Sequence, residues 1–372
     1  MAISVMDEEW AVLTQFLPED WRALARTTGA MRRTRGAVTN PDILLQVLLL
    51  HVATGLSLKQ AVARARLQGL AVMSDVALLK RLRRSEHWLR TLSQHLVDST
   101  RFARALTPGP GGRRVRAVDA TTVNEPGATG TDWRVHYAIG LPDLQCDFYE
   151  LTDVHGGEAY TRIPVAAGDI ILGDRGYCHR AGVAHVVQHG GDVVVRLNSA
   201  TFPLLEADRD VRVALLPTLR PLEARVPGEW SVRFTAADRV WAARLCAVRK
   251  SHAAAERAKK KILQQASKRG TQVSPDTLEY AEYIFVLTTL DRALLDTPDV
   301  LELYRARWQI ECCFKRLKSL LQLGHLPKSS DASARAWMQG KLLTVLLIEH
   351  LIDHARLFSP WGFPLVATES LA

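Results

Sequence analysis

The chain has 372 residues, of which 47% are hydrophobic and 23% are charged, so it can bury a sizeable core in two or three domains or subdomains. Its net charge of +9 indicates a polyanionic partner. The longest apolar run, 342–348, is too short to cross a membrane, and the five cysteines lack zinc-site spacing. The composition therefore predicts a cytoplasmic DNA- or RNA-binding protein with reduced thiols, and it disfavours membrane proteins.

Residues 1–107 predict a helical N-terminal DNA-binding domain. Asn40 is a predicted helix cap, Ser57 and Gln60 form a predicted capping box, and Ser74 caps a third, basic helix that continues to about residue 92. Two short helices around Gly69 indicate a helix-turn-helix that could read a terminal repeat. A plain helical bundle with a basic rim is the alternative. In either case the loop arginines Arg32, Arg33 and Arg35 are candidates for contacts with the DNA backbone.

Residues 108–365 predict an α/β catalytic domain, whose first strand directly follows a Pro/Gly-rich hinge at 107–112. Strand patterns at 113–123, 133–141 and 146–154 predict an antiparallel meander, with Asp119 near the end of its first strand. A strand ending in Asp174, a helix at 179–188 and a strand at 192–197 follow. This order of elements is that of an RNase H-like fold.

The sequence pattern changes between about residues 198 and 279. Strand-like pieces at 211–216, 229–236 and 239–248 precede a basic helical segment at 249–270. Core-strand character returns at 283–290. The region therefore predicts a mostly β insertion into the catalytic domain, with a basic arm that contacts DNA phosphates. The arm includes Lys259, Lys260 and Lys261.

One uninterrupted helix is predicted over 301–321, which contains no proline or glycine. At roughly 100° per residue, five polar side chains fall on one side of it. These are Tyr304, Arg307, Glu311, Lys315 and Lys318. The apolar residues, from Leu303 to Leu321, face a core, and Trp308 is predicted to pack as well. A solvated charged face is the structural alternative.

The spacing of Tyr, two residues, Arg, three residues, Glu, six residues and Lys resembles the signature helix of the insertion-sequence-four family of bacterial DDE transposases. The segments AVDATT around Asp119 and LGDRGY around Asp174 also resemble the aspartate regions of this family, and the three motifs occur in the right order over about 113–350. The resemblance implies a retroviral integrase-like RNase H core. In that core Asp119, Asp174 and Glu311 would be both catalytic and metal-binding, although an aspartate after a strand also caps turns.

Three such carboxylates repel one another without a cation, and their hard oxygens suit Mg²⁺, with Mn²⁺ as a substitute. Two ions roughly 3.5–4 Å apart could serve the attacking and leaving oxygens together. Asp119 would bridge both ions, with Asp174 on one and Glu311 on the other. By the resemblance, Tyr304, Arg307 and Lys318 would hold DNA phosphates, and Lys315 joins them by position.

The resemblance further implies cut-and-paste transposition, in which nicking, hairpin formation, reopening and strand transfer follow one another. The DNA partners would be terminal inverted repeats and target DNA, bound by a homodimer in a paired-end complex at the bacterial nucleoid. Two alternatives remain open. One is a catalytically inactive repressor derived from a transposase, which the intact acidic set disfavours. The other is a structure-specific nuclease of the same fold, which the Tyr304–Arg307–Lys318 spacing disfavours.

A hairpin mechanism needs an aromatic ring on which a flipped base can stack. The family often has a tryptophan directly before the strand that is FVLTTL here, whereas this chain has Tyr283. Tyr283 and Trp241 are therefore both candidates for the stacking ring, and core packing is the alternative for each.

Overall fold

The computed structural model describes residues 5–357 except 33–37, 39, 104–108, 128–131, 325, 328 and 329. The predicted boundary between 107 and 108, the arginines Arg33 and Arg35, and the end of the catalytic domain at 365 lie outside the described residues. The described chain folds into one large mixed sheet with helices on both faces. No helix in the described part of the chain is long and apolar enough to cross a membrane.

Six helices lie in the described part of the N-terminal region. They are α1 (Val5–Thr14), α2 (Trp21–Thr27), α3 (Pro41–Val52), α4 (Leu58–Leu67), α5 (Asp75–Arg84) and α6 (Glu86–Ala103). The predicted caps are confirmed, since the side chains of Asn40, Ser57 and Ser74 each accept a hydrogen bond from a backbone N–H of the first turn. The third predicted helix is wrong in extent, because it breaks between α5 and α6 at buried Ser85. The Ser85 hydroxyl donates to the Arg81 carbonyl at 2.9 Å, a local bond that competes with helix continuation.

The first half of the sheet confirms the predicted meander. Strands β1 (Val115–Val123), β2 (Trp133–Leu141) and β3 (Cys146–Asp153) are antiparallel neighbours. Strand β4 (Ile170–Gly173), helix α7 (Arg180–Gln188) and strand β5 (Asp192–Arg196) follow, and β4 pairs in parallel with both β1 and β5. The right-hand twist of parallel strands favours this helical crossover between β4 and β5.

The segment predicted as an insertion extends the same sheet. Strands β6 (Leu205–Glu206), β7 (Pro227–Ala236) and β8 (Arg239–Arg249) join it through β9 (Tyr283–Thr288), which pairs with β5, so the order is β3-β2-β1-β4-β5-β9-β8-β7-β6. The segment is mixed rather than mostly β, because α8 (Leu215–Leu219), α9 (His252–Arg269) and α10 (Pro275–Tyr280) accompany the strands. The strand predicted at 211–216 is confirmed only in its first half. Arg212 forms an antiparallel bridge with Leu205, whereas Leu215 begins α8, which buries Leu216 and Leu219.

Three further helices complete the described part of the chain. They are α11 (Thr297–Ala306), α12 (Trp308–Ser319) and α13 (Asp331–Leu357), the last much longer than the segment 342–352 that the sequence predicts. The sheet separates two apolar clusters. The first contains buried residues of the N-terminal helices, β1–β3, α12 and α13, and the second joins α7 to β7, β8 and β9. Helix α13 packs against α3, α5 and α6, and its Gln339 and Glu349 accept hydrogen bonds from Tyr149 of β3 and Tyr137 of β2. Helix α12 lies against β1.

Candidate active site

Asp119 and Asp174 lie side by side because of the register between two parallel strands. Ala117 of β1 is opposite Leu172 of β4, and each aspartate lies two residues further along its own strand. Asp119 is in the middle of β1, not near its end as predicted, since β1 continues to Val123 in its pairing with β2. Asp174 directly follows the last residue of β4. The carboxyl edge of β4 therefore carries both aspartates.

The turn after β4 orients Asp174. Its Oδ1 accepts hydrogen bonds from the backbone N–H groups of Gly176 at 2.7 Å and Tyr177 at 3.3 Å. The predicted alternative, in which the aspartate caps a turn, is thus part of the structure. A carboxylate has about four acceptor positions, so this cap leaves acceptor capacity on Asp174 for a further ligand.

The predicted single helix 301–321 is two helices that meet at Arg307. The Arg307 N–H donates to the Tyr304 carbonyl at 3.1 Å, and the Ile310 N–H donates to the Arg307 carbonyl at 3.2 Å. Hydrogen bonds with three-residue spacing tighten the backbone relative to an α-helix. Tyr304 therefore belongs to α11 and Glu311 to α12, with Arg307 at the junction.

Arg307 joins the predicted acidic residues. Its Nη1 is 3.7 Å from Oδ2 of Asp119, and its Nη2 donates to Oε1 of Glu311. The guanidinium carbon lies 5.8 Å from the centroid of the Tyr304 ring. As the side chains stand, no three histidine, cysteine or acidic residues among those described form a group that could hold a metal ion. The guanidinium instead balances the charge of Asp119 and Glu311.

The electrostatics of the site favour a cation. Burial raises the pKa of Asp119 to about 7, the negative charges of Asp174 and Glu158 raise it too, and the Ala120 N–H and Arg307 oppose the shift. A carboxyl group that is hard to ionise beside other carboxylates is stabilised in its charged form by a nearby positive ion. The available donors are carboxylate oxygens, which divalent hard cations prefer.

A cleft of about 1170 Å³ runs along the junction of α11 and α12 next to this site. Four of its lining residues are arginines, namely Arg196, Arg225, Arg305 and Arg307. Trp308 also lines the cleft and is 55% exposed, so the prediction that it packs in the core is wrong. At about 100° per residue, Trp308 points away from buried Ile310, which lies two positions later. Lys315 Nζ lies 5.1 Å from the centroid of the Trp308 ring.

Neither aromatic residue predicted to stack a base is available at the site. Tyr283 is 1% exposed and packs in the second apolar cluster, so its ring has no free face for a base. Trp241 is near the start of β8, opposite Phe234, whereas the end of β8 at Arg249 lies at the edge that carries Asp174. Its indole N–H donates to the Ala236 carbonyl at 3.3 Å. The core interpretation fits Tyr283, and Trp241 is remote from the aspartates.

The predicted basic residues differ in their contacts. Lys318 is exposed at the end of α12, and Lys260 and Lys261 are exposed on α9. Lys259 instead pairs with Glu282 at 2.8 Å and with Glu256 at 3.1 Å, so its charge is balanced within the fold. Lys260 and Lys261 are the members of the predicted arm whose position suits contact with a polyanion.

Sequence reasoning missed two charged residues at the site, Glu158 and Arg196. Arg196 is the last residue of β5. Its only signal in the sequence was a positive charge at the end of an apolar strand. Glu158 lies in the loop after β3, and its signal was a single acidic residue behind two glycines, which alone predicts only a turn. Neither signal indicates a site without the sheet register.

The chain matches known proteins along most of its length. The profile of the family described as "Transposase DDE domain" matches residues 150–347. The transposase of insertion sequence element IS421 from Escherichia coli is 32% identical over 95% of this chain and 96% of its own length. The protein named as transposase InsL of element IS186A from the same species has the same identity and coverage. Among solved structures, the piggyBac transposase synaptic complex with hairpin DNA aligns with 93% of this chain and 75% of its own, at 9% identity and a TM-score of 0.48.

The family match and the transposase relatives define the class of the protein, which is an enzyme that catalyses phosphoryl transfer on DNA. Within that class, the chain belongs to the DDE transposases, and its relatives are transposases of insertion sequences.

Proposed function

We propose that this protein mobilises an insertion sequence by metal-dependent cut-and-paste transposition, with Asp119, Asp174 and Glu311 as its catalytic carboxylates. The observation that carries the proposal is the bridge from Arg307 to Asp119 and Glu311, at the sheet edge that also holds Asp174. The spacing of Tyr304, Arg307, Glu311 and Lys318 supports assignment to the insertion-sequence-four type. The succession of three antiparallel strands and two parallel strands supports an RNase H-like core.

The donor set fits the Mg²⁺, or substituting Mn²⁺, that the family implies. Asp119, Asp174 and Glu311 offer hard oxygen donors, and Asp119 ionises more readily when a cation is close. Two bound ions would activate the attacking oxygen and stabilise the leaving oxygen of the scissile phosphate. The protein contributes the strand register that places the two aspartates side by side and the helix that holds Glu311 against the same arginine as Asp119.

Arg307 has two uses in this proposal. Without DNA, its guanidinium balances Asp119 and Glu311. With DNA bound, divalent cations would take over that charge balance, and the planar guanidinium is free to make a bidentate contact with a phosphate beside the scissile bond. Lys318 and Lys315, further along α12, extend the phosphate-binding surface.

The aromatic residue that supports a hairpin step is Trp308. Its ring is exposed in the cleft directly after Arg307, whereas Tyr283 is buried and Trp241 lies at the other end of its strand. Base-on-aromatic stacking contributes on the order of 1–3 kcal/mol, enough to hold one flipped base. The double-stranded partners are the terminal inverted repeats and the target DNA, held by a homodimer that brings two ends together in the bacterial cytoplasm.

A cleavage assay tests the proposal. End-labelled DNA carrying the ends of the element is incubated with the protein in Mg²⁺ or in EDTA, and products are resolved on denaturing gels. We expect Mg²⁺-dependent nicks, hairpins and double-strand breaks from the wild type. Asp119→Asn should abolish all three products and still bind the ends. Asp208→Asn, in an exposed loop, is the matched control and should behave as wild type.

Two outcomes would favour the alternatives. Wild-type binding without any nick would indicate a repressor, and nicks without hairpins or strand transfer would indicate a structure-specific nuclease.

A further inference from the structure

A fourth carboxylate lies beside the predicted catalytic residues. Glu158, in the loop between β3 and β4, faces Gly176 in the turn that follows Asp174. A Cβ added at Gly176 would lie 1.9 Å from Oε2 of Glu158 and 3.0 Å from Oδ1 of Asp174. The two carboxylate oxygens are therefore close neighbours, and the missing side chain of Gly176 leaves the room that Glu158 occupies.

The charge of this pair is not balanced within the described part of the chain. Arg307 serves Asp119 and Glu311, while neither Asp174 nor Glu158 has an ion-pair partner among the described residues. Arg134, which lies close enough to influence Glu158, donates its Nη1 to the Gly156 carbonyl at 2.7 Å.

The geometry divides the site into two halves. In one half, a guanidinium neutralises Asp119 and Glu311. In the other half, Asp174 accepts backbone hydrogen bonds and Glu158 has no hydrogen-bond donor among the described residues. Two neighbouring carboxylates with spare acceptor positions attract a hydrated divalent cation, because each additional negative charge lowers the energy of the bound ion.

We propose that Glu158 is a fourth acidic residue of the metal site, which holds the divalent cation together with Asp174 and accepts hydrogen bonds from its hydration shell. This inference depends on the proposed function, because it assumes that Asp174 is a metal ligand. It adds a residue that the three-motif pattern does not contain. It also assigns a role to Gly176, whose lack of a side chain lets the Glu158 carboxylate reach the site.

The first test measures Mn²⁺ affinity without DNA, by calorimetric titration or by electron paramagnetic resonance of the free ion. Glu158→Gln keeps the size of the side chain and removes its charge. Loss of a residue that acts on a metal through its hydration shell lowers affinity by about 10-fold or more, which is the expected result here. In EDTA the same variant should melt at a higher temperature than wild type, because the repulsion with Asp174 is gone. Glu150→Gln, on β3 and paired with Arg162, is the control and should leave Mn²⁺ affinity unchanged.

A second variant shows whether the carboxylate acts through its position. In Gly176→Ala the new methyl group displaces the Glu158 carboxylate without changing any charge. It should weaken Mn²⁺ binding in the wild-type background and have little further effect in Glu158→Gln, since both changes remove the same interaction. Independent, additive effects would mean that the alanine acts on Asp174 instead, and they would count against the inference.

Asp174→Asn separates this inference from the proposed function. If Asp174→Asn loses Mn²⁺ binding and Glu158→Gln stays within twofold of wild type, Glu158 is not part of the metal site and the proposed function stands. If wild type and Asp174→Asn bind Mn²⁺ equally, or wild type binds none, the metal site itself is wrong and both proposals fail.

Discussion

Arg307 contacts more of the candidate site than any other residue discussed above. It lies at the junction of α11 and α12, pairs with carboxylates from β1 and α12, and lines the cleft that also contains Trp308. Its two pairings differ, since it donates directly to Glu311 and lies 3.7 Å from Asp119. The same guanidinium balances the carboxylate charges without DNA and, in the proposed function, contacts a phosphate when DNA is bound. Substituting Arg307 therefore tests both uses.

The residue-scale prediction is that Arg307→Ala affects hairpin formation more than nicking. The change removes a bidentate, charge-assisted phosphate contact of on the order of 1.5–3 kcal/mol, which corresponds to a roughly 10- to 150-fold effect. The nick should persist at a reduced rate, because the carboxylates remain. The hairpin, which requires the strand to fold back beside the scissile phosphate, should decrease much further. A time course on end-labelled terminal-repeat DNA measures both products.

Arg305→Ala is the matched control for this experiment. Arg305 lines the same cleft, but its side chain is 76% exposed and pairs with Glu302 rather than with the catalytic carboxylates. It should lower both products slightly and to the same degree. If Arg307→Ala also lowers both products equally, Arg307 contributes only to DNA binding and the nuclease interpretation gains support.

The sequence predicts which residues are candidates for the site better than it predicts the orientation of their side chains. The strand patterns place Asp119 on the first strand and Asp174 at the end of the fourth, and the structure shows that β1 and β4 are neighbours whose register brings both aspartates to one edge. Trp308 could not be assigned, because its orientation depends on the junction at Arg307 and a tryptophan within an apolar helix more often packs. Glu158 joins the site only through the fold of the loop after β3.

At the scale of elements, breaks without glycine or proline limit what the sequence can predict. Neither the junction at Arg307 nor the break at Ser85 contains either residue, and both are made by three-residue hydrogen bonds or by a serine side chain bonded to the backbone. Helix propensity is a weak local preference that tertiary packing overrides. The same reason explains the second half of 211–216, where the predicted strand ends after its pairing at Arg212 and Leu215 begins α8 instead.

Helix α9 is the element that we expect to contribute affinity for DNA without sequence preference. It starts three residues after β8, whose last residue, Arg249, lies at the edge of the sheet that carries Asp174. Lys260, Lys261 and Lys268 are exposed on it. Neutralising these three lysines should flatten the slope of log K against log salt by roughly 0.9 for each DNA phosphate that the variant no longer neutralises. Fluorescence anisotropy at a series of salt concentrations measures the slope on specific and on unrelated DNA.

Lys259 provides the control within the same helix. Its ammonium group pairs with Glu282 and Glu256, so Lys259→Gln should leave the salt slope nearly unchanged while it loosens the packing between α9 and the start of β9. An unchanged slope in the triple variant would show that α9 is a solvated helix that does not bind phosphates. An affinity decrease confined to specific DNA would instead indicate that the arm reads sequence.

At the scale of the whole molecule, one apolar core contains residues from both of the predicted domains. Buried Leu89, Leu92 and Leu96 of α6 belong to the same apolar cluster as Leu342 and Leu343 of α13. Polar contacts to α13 come from both α5 and α6. Arg83 of α5 donates to the Ser333 hydroxyl at 2.7 Å, and His350 is 3.1 Å from the Leu96 carbonyl of α6. Residues near both ends of the chain therefore cover one another.

This shared core predicts that the N-terminal helices do not fold on their own. A fragment of residues 1–107 lacks α13, so the apolar side chains of α6 that α13 covers would be exposed to water at a cost of about 25 cal/mol for each Å². We expect the fragment to show weak helical circular dichroism and no cooperative urea transition.

In the full chain, Leu343→Ala should lower the free energy of unfolding by roughly 2–5 kcal/mol, the usual range for a buried leucine. The exposed Ile352→Ala, on the same helix and 52% exposed, should cost much less. Wild type and both variants should unfold in one transition by circular dichroism and by tryptophan fluorescence. A cooperative transition in the isolated fragment would instead establish residues 1–107 as an independent domain.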